Sequence, residues 1–250
     1  MLADQLEILL LSIVQGVFEF LPVSSTAHLI LISKNQNLLI DISLHLGSLL
    51  AILFFFRKDF FHFKKNKNLF INILIAPIPL LPFGFFLHKT GLIHDLRNIN
   101  VIAWTTLIFG ILIYIADKTE ISKKIDSSLT IQSALFIGFF QVLALIPGVS
   151  RAGISITAGR ILGFDRTDSS KIAFYLSIPA LTAVSIFNIY NLSKESIEFN
   201  ILALTGIILS FLFSLITITF FLKFIKKFSL TIFVLYRIGL AIILFLTIYL

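Results

Sequence analysis

Two segments of this chain read as copies of one polar device set into apolar sequence. The first runs from Gly16 to His28 as GVFEFLPVSSTAH, the second from Gly138 to Gly153 as GFFQVLALIPGVSRAG. Each begins with glycine and places Glu or Gln three residues later. An apolar stretch, a proline, hydroxyls and a basic or titratable residue follow. A carboxylate and an arginine are expensive at membrane depth, so they mark a functional site by default. Apolar segments interrupted by Pro and Gly in both halves of a membrane protein point to a site where the halves meet.

The membrane context follows from what surrounds these segments. The chain of 250 residues is 58% hydrophobic with a mean hydropathy of +1.01, well above the roughly 45–50% apolar content of a soluble domain. Six stretches, 36–56, 69–87, 99–116, 171–190, 200–222 and 229–250, approach the ~20 apolar residues that a bilayer needs. Residues 6–33 and 129–163 do not. Each is a pair of short apolar arms around a Pro/Gly/Ser break, and arms of roughly 10–14 residues are too short to span. Irregular backbone at that depth is tolerated where protein or a water-filled cavity surrounds it. The expected fold is an all-α polytopic membrane protein: a single domain over 1–250 with six spanning helices and two re-entrant helical hairpins. It is arranged as an inverted-topology repeat, 1–116 and 117–250.

Counting crossings gives the orientation. One side receives Arg57, Lys58, Lys64, Lys65, Lys67, Lys118, Lys123, Lys124, Arg160, Arg166, Lys171, Lys223, Lys226 and Lys227. The other receives Lys34, Lys89, Arg97 and Lys194. The side rich in Lys and Arg is the cytoplasm, which puts both termini outside. The net charge of +7 is then a topology signal and implies no nucleic acid. Asp4 and Glu7 with no basic residue before them argue against a cleaved signal peptide. The absence of cysteine excludes thiolate metal sites and cysteine nucleophiles.

The two hairpin tips bring complementary chemistry. Arg151 offers a planar fork of donors suited to phosphate oxygens. Ser150 and Ser155 flank it, and Gly148 and Gly153 permit close backbone approach. A helix starting near Ser150 would aim its amides at the same place. The first tip supplies Ser24, Ser25 and Thr26 at a helix start, His28 three residues after Ser25 on the same face, and the carboxylate of Glu19. Nucleophile, base and carboxylate opposite an anion site point to phosphoryl transfer, with carriage of an anion or a phosphorylated lipid as the alternative. Ser24 and Thr26 read equally well as helix caps. His45 is expected to be a polar cavity or packing residue. For Asp41 and Arg237, ion pairing or snorkelling competes with substrate contact.

The string EFLPVSSTAH together with PGVSRAG resembles the undecaprenyl-diphosphate phosphatase family, integral membrane enzymes that recycle the lipid carrier of bacterial cell-wall synthesis and are associated with bacitracin resistance. The resemblance extends over nearly the whole chain, including Asp41 and the run from Ser177 to Pro179. Three positions depart from the usual family residues. Gln15 stands where glutamate is frequent, and Ala152 where a second serine is usual. Ser155 replaces a threonine and keeps its hydroxyl.

The resemblance implies hydrolysis of undecaprenyl diphosphate to undecaprenyl phosphate and inorganic phosphate, in the bacterial inner membrane, with the active site toward the outer face. It implies Glu19, Ser25, His28 and Arg151 as catalytic residues, with Gln15, Ser24, Thr26, Gly148, Ser150 and Ser155 contacting substrate. In the preferred mechanism Ser25 attacks phosphorus and His28 takes its proton; in the competing one water attacks with Glu19 or His28 as base. The resemblance also implies a divalent cation, magnesium or calcium; Glu19 either holds that cation on the diphosphate or orients His28. The assembly is left open between a monomer and a homodimer.

Overall fold

A computed structural model describes residues 2–25, 27–28, 38–61, 67–125, 129–192 and 196–249. The elements in order are α1 (Leu2–Phe18), α2 (Leu38–Phe55), α3 (Arg57–Phe61), α4 (Lys67–Ile75), α5 (Leu80–Thr90), α6 (Leu92–Asp95), α7 (Ile99–Asp117), α8 (Ile131–Val142), a 3₁₀ turn (Leu143–Leu145), α9 (Arg151–Ile161), α10 (Arg166–Leu192), α11 (Ile197–Ile225) and α12 (Thr231–Tyr249). The fold is all-helical; among the described residues there is no strand, only a single bridge between Lys123 and Phe164.

Among the described residues, five helical segments are long and apolar enough to cross a membrane: Lys67–Leu87, Ile99–Asp117, Arg166–Ile186, Phe199–Ile225 and Thr231–Tyr249. They coincide with five of the six expected spans. The sixth, 36–56, forms α2, whose apolar part Leu39–Phe55 is shorter. Gln5–Phe18 and Ile131–Leu145 are also short apolar helices, as the reading of two short-armed segments requires. The second arm of the first segment is helical at Ser25, Ala27 and His28; beyond His28, and at Thr26, it lies outside the described residues.

Apolar side chains cover the outside of the molecule, and polar ones are buried within its hydrophobic core. Leu81, Phe85, Ile115, Phe220 and Leu235 are exposed, while Gln15, Gln141, Ser155, Arg160 and Arg237 are buried. Lipid tails are as apolar as leucine, so helices associate here through close packing and hydrogen bonds. α11 packs along α2 and α1 in this way. Ser48 Oγ lies 3.0 Å from Ser214 Oγ and 3.3 Å from Ser210 Oγ, and Ser210 Oγ donates to the Leu44 carbonyl at 2.7 Å.

The two motif glycines are packing contacts. A Cβ on Gly16 would sit 2.5 Å from Phe213 Cβ on α11, and one on Gly138 would sit 1.8 Å from the Ala76 carbonyl oxygen. The second contact falls where α4 gives way to α5. Pro77 and Pro79 remove two amide donors there and interrupt the helix, and α8 presses its glycine into the gap.

Further helix pairs complete the core. α7 packs against α12, α2 against α10, α1 against α11, and α8 against α4 and α5. α9 lies inside this shell, with every residue from Ala152 to Arg160 buried. At one end of the bundle Asp117 accepts from Arg166 Nε at 2.7 Å and Nη2 at 3.0 Å, and from the Leu230 amide at 3.2 Å. Arg160 donates to the carbonyls of Asp117, Thr119 and Phe164. This knot ties the C-terminal ends of α7 and α9 to the starts of α10 and α12.

Candidate active site

Both polar segments break their helices in the same way. α1 ends at Phe18, and the chain turns through residues 19–23 before helix resumes at Ser25. α8 ends at Val142, runs through the 3₁₀ turn, and resumes as α9 at Arg151. The residue before each restart is a serine in the left-handed region, Ser24 with φ 76° and Ser150 with φ 72°. That conformation is uncommon for a residue with a Cβ and draws attention to the site. Each serine hydroxyl caps the helix that follows. Ser24 Oγ accepts from the Ala27 amide at 3.4 Å, and Ser150 Oγ from the Gly153 amide at 3.1 Å. Gly148 (φ 89°) has room for no Cβ: one would sit 2.1 Å from Thr105 Oγ1.

The breaks meet at a cavity of about 210 Å³. Glu19, Ser24 and Ser25 line it from the first break, and Gly148, Ser150 and Arg151 from the second. His45 and Gln141 add polar wall; Leu80, Leu181 and Val184 make other parts apolar. Glu19 is the hub. Its Oε1 accepts from Arg151 Nη2, a contact across 132 residues of sequence. Its Oε2 accepts from Ser25 Oγ and from Gln15 Nε2, both at 3.0 Å, with His45 Nε2 3.9 Å away. A buried carboxylate is tolerable only when paired and hydrogen-bonded, and Glu19 is both.

Glu19, Ser25 and Arg151 are thus brought into direct contact, with Ser24, Gly148 and Ser150 beside them on the wall. Gln15 reaches the site only through Glu19. Ser155 sits behind the wall, accepting from Gln141 Nε2 at 3.0 Å and donating to the Arg151 carbonyl at 2.9 Å. Thr26 lies outside the described residues. His28 is not turned toward Ser25. Its Nδ1 is 2.7 Å from the Ser24 carbonyl and its Nε2 is 2.6 Å from Tyr236 Oη. A carbonyl only accepts, so Nδ1 carries the proton and the tyrosine donates to Nε2. Phe18 stacks on the ring at 3.9 Å between centroids.

Three polar residues of this neighbourhood are not signalled by the motifs. His45 has its Nδ1 on the Asp41 carbonyl at 2.7 Å, which leaves Nε2 toward Glu19. Tyr236 and Arg237 belong to α12, an otherwise apolar span. The signal for them was their position: two polar side chains in the middle of a membrane helix.

The donor set bears on a divalent cation. Among the described residues no group of three or more His, Cys, Asp or Glu side chains is placed to hold a metal. The cavity offers one carboxylate, the three hydroxyls of Ser24, Ser25 and Ser150, and Gln141, whose Oε1 is buried and unpartnered, with Gln15 Oε1 equally unpartnered behind Glu19. These are hard oxygen donors. They fit a magnesium or calcium ion that draws its remaining ligands from phosphate and water, as such ions commonly do.

Residues 8–243 match the family described as Bacitracin resistance protein BacA. The chain belongs to this family. It is also 52% identical to a protein of Pelagibacter ubique (strain HTCC1062) named undecaprenyl-diphosphatase, over all of both chains. Similar proteins with the same name occur in Ruegeria sp. (strain TM1040), 35% identical over 96% of this chain and 97% of that one, and in Saccharophagus degradans (strain 2-40), 37% identical over 94% of each.

Proposed function

We propose that this protein hydrolyses undecaprenyl diphosphate to undecaprenyl phosphate and inorganic phosphate in the bacterial inner membrane. The observation that carries the reading is the contact of Ser25 and Arg151 with the two oxygens of Glu19 in a cavity lined in part by polar and in part by apolar side chains. An amphiphile with a diphosphate head suits such a cavity. An apolar groove of about 450 Å³, lined by Val17, Leu21, Phe220 and Phe233 among others, shares Phe18 with it and suits the polyprenyl chain.

In this reading the terminal phosphate takes over Arg151 from Glu19, and the planar guanidinium binds two of its oxygens. Ser25 Oγ attacks phosphorus, its proton passes to Glu19 Oε2, and the bond to the bridging oxygen breaks. Undecaprenyl phosphate leaves with that oxygen. Glu19 hands its proton to that leaving phosphate. Water then attacks the phosphoserine and gives a proton to Glu19, and the bond from phosphorus to Ser25 Oγ breaks. Ser25 Oγ recovers the proton from Glu19, and inorganic phosphate is released. Glu19 is favoured over His28 as the base because the Ser25 hydroxyl already points at it; geometry precedes basicity in choosing a base. His28 acts by holding the Ser24 carbonyl. A divalent cation, held by Glu19 and Gln141 Oε1 together with substrate oxygens, would neutralise charge on the diphosphate.

The same reading keeps six crossings, two re-entrant hairpins and an inverted repeat. α9 has 11 residues, about 16 Å at ~1.5 Å per residue, half a bilayer core. The helix pairing exchanges partners as an inverted repeat would: α1 with α11 and α8 with α4–α5, α2 with α10, α7 with α12. The Lys and Arg asymmetry supports an orientation with both termini and the active site outside.

Purified protein in detergent is expected to release phosphate from a polyprenyl diphosphate, and EDTA to suppress the release. Absence of hydrolysis above a heat-inactivated control, with magnesium or calcium added, rules the reading out.

A further inference from the structure

Arg237 is fully buried on α12, and no carboxylate is among its partners. Its guanidinium has five N–H donors and five backbone carbonyls around it. Nε donates to Thr106 at 3.0 Å. Nη1 donates to Pro22 at 3.3 Å and Val149 at 3.1 Å. Nη2 donates to Thr105 at 3.3 Å and Gly148 at 2.8 Å. Gly110 makes room on α7: a Cβ there would sit 3.1 Å from Arg237 Cβ. Breaking a helix at membrane depth orphans carbonyls, and the surrounding protein must satisfy them. Here one side chain does so for both breaks.

We infer that Arg237 is a positioning residue for catalysis, which locks the two breaks against each other and turns the backbone of the second toward substrate. A trans peptide carries its C=O and N–H in opposite directions. Arg237 holds the Val149 carbonyl, so the Ser150 amide points away from Arg237, and Ser150 and Arg151 line the cavity. The amide joins the helix N-terminus as a donor for phosphate oxygens. Arg237 also grips the two carbonyls lying between the left-handed residues Gly148 and Ser150. Such backbone persists only when its surroundings over-determine it. Its hold on Pro22 fixes the first break, and with it Ser24 and Ser25, to the same frame. Thr105 assists from α7: its Oγ1 lies 2.6 Å from the Pro147 carbonyl.

The inference rests on the phosphatase reading. The test is steady-state phosphate release from a polyprenyl diphosphate by the full chain in detergent, with wild type measured first. Arg237→Lys keeps the charge but has three donors on one nitrogen and cannot serve five carbonyls. Its kcat per folded molecule is expected to fall ~100-fold, the scale of losing one preorganised donor to a transition state, with KM changed far less. A structural role alone would lower the thermal midpoint and the folded fraction and leave kcat per folded molecule intact; that result overturns the inference. If Arg237→Lys yields no folded protein, Thr105→Val decides. A loss of roughly 10-fold in kcat, the scale of one hydrogen bond, with an unchanged thermal midpoint supports the inference, and wild-type kcat overturns it. Wild type that releases no phosphate ends the phosphatase reading and the catalytic role together, whereas wild-type turnover with unaltered variants ends the positioning role alone.

Discussion

The two breaks share a backbone and divide the chemistry. Each places a left-handed serine after a proline, caps the next helix with that serine, and gives up carbonyls to Arg237. At the position three residues after each motif glycine, one carries Glu19 and the other Gln141. At the first residue of the following helix, one carries Ser25 and the other Arg151. Glu19 gathers Ser25 and Arg151; Gln141 turns to Ser155. The shared part is what a bilayer demands of any broken helix, with donors for stranded carbonyls and a capped restart. The differing part is what phosphoryl transfer demands: a nucleophile and proton acceptor on one side, a cationic anchor on the other. The comparison teaches that the backbone device and the reaction are separable, and substitutions at equivalent positions should reveal it.

The largest effect belongs to the first break. In the proposed mechanism Ser25→Ala removes the atom that forms the covalent intermediate, and turnover at saturating substrate should fall by several orders of magnitude. If Ser25 only binds phosphate, the loss is one hydrogen bond, ~1–3 kcal/mol or roughly 10- to 100-fold. Measured rates of the folded variant choose between the two, and a variant within 100-fold of wild type ends the covalent step. The equivalent position in the second break should respond differently in kind. Arg151→Lys retains charge and loses the planar fork, so kcat/KM should fall at least ~10-fold, the scale of one charge-assisted hydrogen bond. Wild-type kcat/KM in that variant would remove Arg151 from the phosphate site and collapse the division of labour.

Much of this division was legible in the sequence because membrane burial makes polar residues informative. Glu19, Ser25 and Arg151 stood out against apolar neighbours, and the structure brings them together. The break positions followed from Pro22 and Pro147, and the five long spans from their length. Other features left weaker traces. Spacing put His28 on a face with Ser25, but a helix start equally lets a ring reach back to the carbonyl four residues earlier, and Tyr236, 208 residues away, supplied the partner for its other nitrogen. Arg237 was visible as a lone cation in an apolar run, yet its acceptors are backbone carbonyls, which every sequence has and none displays. The left-handed turns fell on Ser24 and Ser150, where composition would assign glycine. The interruption between α4 and α5 was written in Pro77 and Pro79, but which helix would press into it depends on the fold.

The smallest predicted effect tests the shared backbone itself. At Ser24 and Ser150 two contributions oppose each other. A residue with a Cβ in the left-handed region costs roughly 1–2 kcal/mol, which glycine avoids. The serine hydroxyl returns about 1 kcal/mol by capping, most of which alanine forfeits, while glycine at a cap costs only a few tenths. Serine to alanine therefore keeps the strain and loses the cap, and should lower stability by ~1 kcal/mol, a shift of about 2–4 °C for a chain of this size. Serine to glycine loses the same bond but relieves the backbone, and should leave the midpoint unchanged or raise it. The cap at Ser150, 3.1 Å, is shorter than that at Ser24, 3.4 Å, so alanine should cost more in the second break. The check is apparent thermal midpoints of the four variants in one detergent at one scan rate, since unfolding of such proteins is commonly irreversible. Glycine as damaging as alanine at both positions would mean that neither serine is strained, and that the left-handed turns are not the common element joining the two breaks.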